Sequence, residues 1–433
     1  MALIGSSNIF KSMKILQINN CHYRRGGADV VYLNTITLLK EKGQEVVEFS
    51  QFSEKNEATE FEGNFVDTYD VLKLSFIQKI RQSPRLLYSG EASKKLADLL
   101  EKTKPDIAHI HLYKGVLTVS ILLILKKYKI PVVLTLHDFS LLCPRNLLLD
   151  GNNKICEKCI GSTTFNCIIK RCNRKNLFFS TMSFLEYNLN NNFYKPEDYF
   201  DKIISVSKFN FNKHSLRENL KPRLVHLYNF FPGIDGILPN VFQGNYFLFF
   251  GRLSVEKGLR TLINAAKLLD KSIKIKVAGT GPMEEESKQR LAEENILNIE
   301  MLGYKTGKDL EILIAGCSCI IVPSECYENN PMTIVEGYSY GKPVIGSRIG
   351  GIPELIEEGL TGYLYEMGNH EELAKVISKA GNLSLEDYKE MSINARKFAC
   401  ENFSDHMHYE KLMDIYKTVQ FNSLIFSEIT DTA

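Results

Sequence analysis

Residues 14–50, KILQINNCHYRRGGADVVYLNTITLLKEKGQEVVEFS, contain a strand, a loop, a helix and a second strand in succession. Residues 14–20 form a short apolar run without polar alternation. Gly26-Gly27 opens a helical pattern that extends to about Lys42, and residues 44–51 form another apolar run. Short apolar runs that alternate with helical patterns are typical of parallel strands buried on both faces. This stretch therefore predicts an α/β fold built on a doubly wound sheet.

The same pattern continues along the chain and begins again after Pro232. We predict strands at 106–112, 131–137, 202–207, 246–250, 273–278, 298–302, 318–322 and 343–346, with helices between them. The stretch Phe231–Asn240 is rich in Gly and Pro and indicates a linker. The chain is therefore predicted to form two Rossmann-like domains, residues 13–232 and 245–400. We expect them to face a cleft in which ligands bind at the carboxyl ends of the strands.

Length and charge narrow the classes of function. The chain has 433 residues, enough for two or three domains, and its 53 Lys and Arg against 51 Asp and Glu give a net charge of +2. This balance argues against a nucleic-acid-binding protein. Residues 1–232 carry 33 basic and 22 acidic residues, a charge of +11, whereas residues 233–433 carry 20 and 29, a charge of −9. Such an asymmetry is expected of two domains with different surroundings.

The sequence shows no membrane span. The longest apolar stretch, Val116–Leu125, is interrupted by Thr118 and Ser120, and it is far shorter than the roughly 20 residues that cross a bilayer. The first residues lack the pattern of a signal peptide. We therefore expect a cytoplasmic protein whose ten cysteines are reduced thiols or metal ligands. Residues 421–433 have a weak pattern, which predicts a frayed tail.

The segment Gly251–Gly258, GRLSVEKG, places two basic residues between a predicted strand and a helix. Arg252 and Lys257, with the free N–H groups of the helix start, would clamp an anion such as phosphate. Two solvated side chains in an ordinary loop explain the same residues equally well. The nearby Gly279-Thr-Gly281 does not complete a dinucleotide fingerprint, because Glu284 stands where a third glycine belongs.

The segment Pro323–Pro331, PSECYENNP, leads into a helix that contains Glu336. Asn330 can cap this helix and Pro331 suits its first position, so the helix start offers a second phosphate site. Glu328 lies in the loop, and Glu336 lies between apolar residues of the helix. Carboxylates in such positions hold the hydroxyls of ribose and sugars, although either residue taken alone fits a capping or surface glutamate.

Two glycine pairs and a histidine stand at other predicted strand and helix ends. Gly26-Gly27 makes a close-approach turn at a helix N-terminus, which suits phosphate. Gly350-Gly351 lets backbone approach a ligand closely, or forms an ordinary turn. His137 ends the strand at 131–137, at the edge where ligands bind. A histidine satisfied by nearby backbone is the commoner explanation of such a residue.

Taken together, these parts resemble a known family. GRLSVEKG at 251–258 and PSECYENNPMTIVEGYSYGKPVIGSRIGGIPELIEEGLTGYL at 323–364 are similar to the donor-binding region of retaining GT-B glycosyltransferases of glycosyltransferase family 4. Glu328 and Glu336 match the Glu-x7-Glu pair of that family. The resemblance covers most of residues 13–420. It implies the GT-B fold, with a helix at 401–420 that crosses back to the first domain.

The resemblance also implies a function for each candidate residue. The equivalents of Arg252 and Lys257 bind the donor diphosphate, and those of Glu328 and Glu336 bind the sugar hydroxyls and the ribose. The histidine that matches His137 contacts the transferred sugar. The implied catalytic residues are His137, Arg252, Lys257 and Glu328. The implied donor-binding residues are Gly26, Gly27, Arg252, Lys257, Glu328, Asn329, Asn330 and Glu336.

An insertion at residues 143–175 is rich in cysteine. Cys156, Cys159, Cys167 and Cys172 lie within seventeen residues, and their spacing predicts a structural zinc site, although the second pair is wider than CxxC. Redox-sensitive disulfides and free thiols are the alternatives. Four thiolate ligands would leave the metal no open position for catalysis. The same loop is basic, which suits an acidic acceptor or a membrane surface.

The resemblance implies transfer of a sugar from a UDP- or GDP-sugar to an acceptor hydroxyl, with retention of configuration and without a catalytic metal. We expect a glycan or lipid-linked glycan as acceptor, in polysaccharide or lipid-linked glycan assembly. We also expect attachment to the anionic inner face of the cell membrane, and no nucleic acid as partner. Two other classes remain open: a sugar-nucleotide epimerase of GT-B fold, and a non-catalytic module that binds nucleotide sugars.

Overall fold

The structure, a computed structural model, describes residues 12–67 and 75–431 and contains two six-stranded sheets. The strands of the first sheet are β1 (Lys14–Ile18), β2 (Glu45–Phe49), β3 (Ile107–Ile110), β4 (Val132–Leu136), β5 (Lys202–Ser205) and β6 (Leu224–His226). Those of the second are β7 (Tyr246–Phe250), β8 (Lys274–Ala278), β9 (Ile299–Gly303), β10 (Ile320–Val322), β11 (Val344–Ser347) and β12 (Gly362–Tyr365). The helices are α1 (Gly27–Glu41), α2 (Phe76–Leu87), α3 (Gly90–Thr103), α4 (Ser120–Lys127), α5 (Asn166–Ile169), α6 (Leu177–Leu189), α7 (Lys208–His214), α8 (Leu259–Ala266), α9 (Glu284–Glu293), α10 (Gly307–Gly316), α11 (Met332–Ser339), α12 (His370–Gly381), α13 (Leu385–Asn402) and α14 (Asp405–Asp431).

Strand order fixes where each sheet can bind a ligand. The orders are β2-β1-β3-β4-β5-β6 and β12-β11-β10-β7-β8-β9. The chain therefore reverses its direction across the sheet between β1 and β3, and again between β7 and β10. Both of these pairs are parallel. In doubly wound sheets ligands bind outside the carboxyl ends of the strands at such a reversal. The loops after β7 and β10 occupy this position in the second sheet.

The strand β7 shows why these strands have uninterrupted apolar sequences. Phe247 and Phe249 belong to one buried cluster, whereas Tyr246, Leu248 and Phe250 belong to another. Because successive side chains of a strand point to opposite faces, the two clusters lie on opposite sides of the sheet. A strand buried on both sides has no polar face, which confirms the prediction of a doubly wound α/β fold.

Two strands were not predicted, and the end of one helix was predicted as a frayed tail. β6 has the sequence LVH and β12 the sequence GYLY, so neither contains the run of aliphatic residues that predicts a buried strand. The prediction of a frayed tail is wrong for residues 421–431, because α14 continues to Asp431. No Gly or Pro interrupts residues 405–431, so each further residue adds a helical hydrogen bond. Residues 432–433 lie outside the described residues.

The chain divides into two compact units. One contains the described parts of residues 1–135, 189–203 and 412–433, and the other contains residues 136–188 and 204–411. The predicted domain limits, 13–232, 245–400 and 401–420, follow the sheets rather than these contacts and stay predictions. Among the described residues, no helix combines the length and the apolar character of a membrane span.

The middle of α14 is bonded to the first sheet through a buried polar network. The hydroxyl of Tyr416 lies 2.6 Å from His109 Nδ1 and accepts a hydrogen bond from Gln17 Nε2 at 3.3 Å. All three side chains are buried. His109 Nε2 lies 2.7 Å from the hydroxyl of Thr135. Buried polar groups are costly unless they are paired, so this network fixes the position of Tyr416 on the sheet.

We expect Tyr416→Phe to lower the free energy of unfolding by about 1–3 kcal/mol, because the change removes the hydroxyl from buried hydrogen-bonding groups. Urea titration measures the loss. Tyr304→Phe is the matched control, since Tyr304 is 63% exposed, and it should unfold like the wild type. Equal stability of Tyr416→Phe and the wild type would show that this network does not stabilise the fold.

Candidate active site

Two loops meet where the second sheet reverses. The loop after β7 makes a short 3₁₀ turn at Val255–Lys257. Gly258 follows in the left-handed backbone region, with a φ of 72°, and a Cβ built there would lie 1.7 Å from the carbonyl oxygen of Pro323. Only glycine allows both this backbone conformation and this approach. The loop after β7 therefore packs directly on the loop after β10.

The predicted cation Lys257 and the predicted carboxylate Glu328 bind each other. Lys257 Nζ lies 2.5 Å from Glu328 Oε1, which also accepts a hydrogen bond from the Ser324 hydroxyl at 2.7 Å. Burial acts to raise the pKa of Glu328, but the Lys257 charge and the two hydrogen bonds outweigh it, so the pKa is lowered. Burial likewise acts to lower the pKa of Lys257, and the Glu328 charge outweighs it and raises this pKa. Both side chains are therefore charged.

The two residues of the predicted anion clamp differ in their surroundings. The Lys257 side chain is 33% exposed and is bonded to Glu328, whereas Arg252 is an exposed residue. The clamp therefore offers one exposed cation and one cation that is already shared with a carboxylate. Binding of a diphosphate by this pair stays a prediction.

Asn329 and Asn330 bind backbone with part of each side chain. Asn329 Nδ2 donates to the carbonyl oxygen of His137 at 2.8 Å, and Asn330 Oδ1 accepts from the Asn229 backbone N–H at 2.9 Å. The other polar atoms, Asn329 Oδ1 and Asn330 Nδ2, are buried without a partner among the described residues. Unpaired buried polar atoms are uncommon in native structures, so these two are candidates for contact with a ligand or an ordered water.

The helix α11, which carries Glu336, does not begin as the sequence predicted. Its N-cap residue is Pro331, and no side chain caps it. The prediction that Asn330 caps the helix is therefore wrong, because its amide oxygen is bonded to Asn229 instead. Glu336 is half-buried within α11. Its contact with a donor ribose or sugar stays a prediction.

The glycine pair Gly350-Gly351 packs against the loop that carries Glu328. A Cβ on Gly350 would lie 2.4 Å from the carbonyl oxygen of Glu328, and one on Gly351 would lie 1.9 Å from that of Asn329. The Gly351 N–H donates to Glu328 O at 2.7 Å. The close approach that these glycines allow is therefore to the protein's own backbone.

Gly26 and Gly27 lie at the start of α1, as predicted. Gly26 is the N-cap residue with extended backbone, and both glycines are exposed. Sequence analysis missed Asp29 in the first helical turn. Its buried carboxylate accepts a hydrogen bond from Asn19 Nδ2 at 2.9 Å, and burial raises its pKa. Binding of donor phosphate at Gly26-Gly27 stays a prediction.

His137 follows β4 and is half-buried. Burial lowers its pKa to about 3, so the imidazole is neutral in ordinary buffers. A neutral imidazole has one nitrogen that donates a hydrogen bond and one that accepts it. This chemistry suits a sugar hydroxyl, although the contact itself stays a prediction.

The structure does not support the predicted zinc site. Among the described residues, no group of three or more His, Cys, Asp or Glu side chains could hold a metal ion. All ten cysteines are free thiols. Sγ of Cys159, Cys167 and Cys172 face the carbonyl oxygens of Thr164, Ser180 and Asn166 at 3.8–4.0 Å. Cys167 and Cys172 are also hydrogen-bonded to each other, which raises the pKa of the Cys167 thiol and lowers that of the Cys172 thiol to about 7. Zinc binding by the four cysteines stays a prediction.

Two further residues of the site, Ser324 and Tyr327, were not predicted from the sequence. Ser324 binds Glu328 from four positions away in the same loop, and a small hydroxyl beside a glutamate is too common to single out. Tyr327 binds Glu157, which lies 170 positions away. Only the folded chain brings that pair together.

Two family models match parts of the chain. Residues 238–398 match the family model "Glycosyl transferases group 1", and residues 25–159 match "Glycosyltransferase Family 4". An uncharacterized glycosyltransferase of Methanocaldococcus jannaschii is 35% identical over 201 residues, 46% of this chain and 54% of the relative. The amylovoran biosynthesis glycosyltransferase AmsK of Erwinia amylovora is 25% identical over 173 residues, 38% of this chain and 42% of the relative. The chain thus spans about half the length of these curated relatives.

Solved structures define the class of fold. Anabaena Alr3699/HepE, solved in complex with UDP and glucose, has a TM-score of 0.65 and 18% sequence identity, over 94% of this chain and 100% of that one. With its two six-stranded sheets, the chain therefore has the GT-B fold. Within that class, the two family models matched at 25–159 and 238–398 are both of glycosyltransferases.

We expect Glu328→Gln to lower stability at neutral pH and to lose this effect in acid. The folded-state pKa of Glu328 lies below its ordinary value of 4.5. Its contribution is therefore complete above the ordinary pKa and is lost as the pH falls through the folded value. Urea unfolding from about pH 7 to about pH 3 measures the difference from the wild type.

Glu401→Gln is the control for this pH series, because the Glu401 side chain is 61% exposed. It should match the wild type throughout. A stability difference for Glu328→Gln that grows in acid would contradict the assignment of an ion pair at Lys257.

Proposed function

We propose that the chain is a retaining glycosyltransferase that moves a sugar from a nucleoside-diphosphate sugar to an acceptor hydroxyl. The observation that carries the proposal is the bonded Lys257–Glu328 pair where the second sheet reverses, beside the exposed Arg252. This edge of a doubly wound sheet is where a nucleotide binds. The family 4 and group 1 matches support the same reading.

Positive charge near the donor diphosphate would promote cleavage of the bond between the sugar and the phosphate. As the bond between sugar and phosphate breaks, negative charge develops on the leaving diphosphate. Arg252 and Lys257 would stabilise that charge in the transition state, which needs no metal ion. Their guanidinium and ammonium groups are fixed cations, and charge-assisted hydrogen bonds to phosphate are among the stronger ones in proteins.

Carboxylates and the neutral imidazole would orient the sugar. Glu328 and Glu336 would accept hydrogen bonds from hydroxyls of the transferred sugar and of the ribose. His137, whose pKa of about 3 keeps it neutral, would bind a sugar hydroxyl rather than act as a cationic acid. Gly26 and Gly27 would approach the donor phosphates, and the free atoms of Asn329 and Asn330 would complete the donor contacts. Fixing the donor in this way lowers the entropy cost of transfer.

The donor and acceptor are proposed by class. UDP in the complex of Anabaena Alr3699/HepE supports a UDP-sugar, with a GDP-sugar as the alternative. The amylovoran biosynthesis relative supports a glycan acceptor in polysaccharide assembly. The +11 charge of residues 1–232 supports an anionic acceptor, such as a lipid-linked glycan at the inner membrane face.

A donor panel separates this function from an epimerase and from a non-catalytic binding module. The full chain is mixed with UDP-, GDP- and ADP-sugars in the presence of EDTA, and released nucleoside diphosphate is measured. We expect slow release from one donor class by transfer of the sugar to water, and NMR of the sugar at first release, before mutarotation, should show the anomeric configuration of the donor. Donor binding without any release would contradict a transferase, and an inverted product would contradict retention.

We expect Glu336→Ala to weaken donor binding about ten- to a hundredfold, because a hydrogen bond to a charged group is worth about 1.5–3 kcal/mol. Competition with the donor selected by the panel measures the affinity. Glu401→Ala, at an exposed position in α13, is the control and should bind like the wild type. A folded Glu336→Ala variant with unchanged affinity would remove Glu336 from the site.

A further inference from the structure

The cysteine-bearing insertion touches the candidate site through one carboxylate. Glu157 Oε1 accepts a hydrogen bond from the Tyr327 hydroxyl at 2.5 Å and pairs with Lys213 Nζ at 2.7 Å. Tyr327 immediately precedes Glu328. The motifs that carry the resemblance do not include Glu157, and the zinc prediction concerned only the cysteines of the insertion.

The insertion holds Glu157 in a defined place. Leu149 and Ile155 form an antiparallel bridge, and the Asp150 carboxylate accepts hydrogen bonds from the backbone N–H groups of Asn152 and Lys154 at 2.9 and 3.1 Å. The Cys156 N–H donates to Leu148 O at 2.8 Å. Backbone on the N-terminal side of Glu157 is therefore fixed by local hydrogen bonds, which makes its carboxylate a preorganised acceptor.

The helix α7 completes the support of Tyr327. Phe209 and Lys213 are four positions apart, so they lie on one face of the helix. The Phe209 ring centroid lies 4.9 Å from that of Tyr327, and Lys213 Nζ lies 5.3 Å from the Tyr327 centroid. The carboxylate of Glu354 accepts hydrogen bonds from the first two backbone N–H groups of α7, both at 2.8 Å. Tyr327 thus packs on a helix whose start is fixed.

Apolar packing joins the same elements. Phe139, Leu142, Cys143 and Leu148 form a buried cluster, against which Phe209 and Tyr327 pack. The Tyr327 ring is therefore held by aromatic contacts, while its hydroxyl is held by Glu157. Apolar packing is non-directional, whereas a hydrogen bond has a preferred distance and angle. The bond to Glu157 therefore fixes where the Tyr327 hydroxyl lies.

Two different elements hold neighbouring residues of the loop. Tyr327 is bound by the insertion, and Glu328 is bound by Lys257 in the loop after β7. The charge of Glu157 is balanced by Lys213, so the insertion supports Glu328 without placing an uncompensated negative charge beside it. Repulsion from an unbalanced carboxylate would work against the ionised form of Glu328.

We propose that Glu157 is a positioning residue: by holding the Tyr327 hydroxyl, it fixes Glu328 in its donor-binding position and so sets donor affinity. The proposal rests on the proposed function. Glu157 itself touches no donor and takes no part in bond breaking. Its effect on transfer reaches the donor only through Tyr327 and Glu328, so it falls on donor binding rather than on acceptor binding.

The first test reports on the loop and needs no donor. Hydrogen–deuterium exchange of the full chain without ligand is followed in peptides that cover residues 323–332. We expect faster exchange there in Glu157→Gln and in Tyr327→Phe. The control is Lys158→Gln, which alters the neighbouring exposed residue and should exchange like the wild type. Unchanged exchange in Glu157→Gln would overturn the proposal.

The second test uses the donor that the wild type turns over. We expect Glu157→Gln to raise the KM for donor about three- to tenfold, in line with the loss of part of one hydrogen bond. The KM for acceptor should stay unchanged. Tyr327→Phe should raise the donor KM similarly, and the double variant should be no worse than either single one, because both changes break the same contact.

The outcomes separate this proposal from the proposed function. A donor KM equal to that of the wild type in a folded Glu157→Gln variant overturns the positioning of Glu328, and so does an equal rise in donor and acceptor KM. If the wild type releases no nucleoside diphosphate from any donor, the proposed function fails. The exchange measurement still decides whether Glu157 holds the loop.

Discussion

The ion pair between Lys257 and Glu328 ties the loop after β7 to the loop after β10. Its 2.5 Å separation requires the two loops to lie in contact, and this contact exists only because Gly258 allows the carbonyl oxygen of Pro323 to approach. A side chain at position 258 would push the loops apart and leave a partly buried carboxylate without its cation. Such a charge is costly, so the geometry of one glycine and the charge of one pair depend on each other.

The loop after β10 is held along nearly its whole length. The Glu325 N–H donates to Glu256 O at 2.8 Å, Tyr327 binds Glu157, and Asn329 binds the carbonyl oxygen of His137. The Gly351 N–H also donates to the backbone of this loop, at Glu328 O. A loop held at this many points would not have to become ordered on binding a ligand, so less binding free energy would be spent on ordering it. Its charged groups would also be preorganised.

Sequence pattern was sufficient for the fold and for the candidates that lie in compact motifs. The strand at 246–250 was predicted with its observed limits because both of its faces are apolar, and Lys257 and Glu328 were found because each stands in a motif at a strand end. Glu157 could not be found in this way. Its partner Tyr327 is 170 positions away, and nothing in the local sequence distinguishes this glutamate from a surface residue. The zinc prediction rested on cysteine spacing alone, and spacing does not reveal where each thiol points.

The net charge of residues 233–433 does not describe the charged groups that a diphosphate would contact at this site. The −9 of residues 233–433 includes carboxylates that are already paired with other cations, such as Glu294, whose pKa Arg290 and Lys267 lower to about 2. Exposed charges beyond about 8–10 Å are largely screened at physiological salt, so the local groups decide. Of these, Lys257 is shared with Glu328. Because the Ser324 hydroxyl binds the same carboxylate oxygen, Glu328 would keep a partner if Lys257 turned towards a phosphate. The cation could then be shared without leaving a buried charge unpaired.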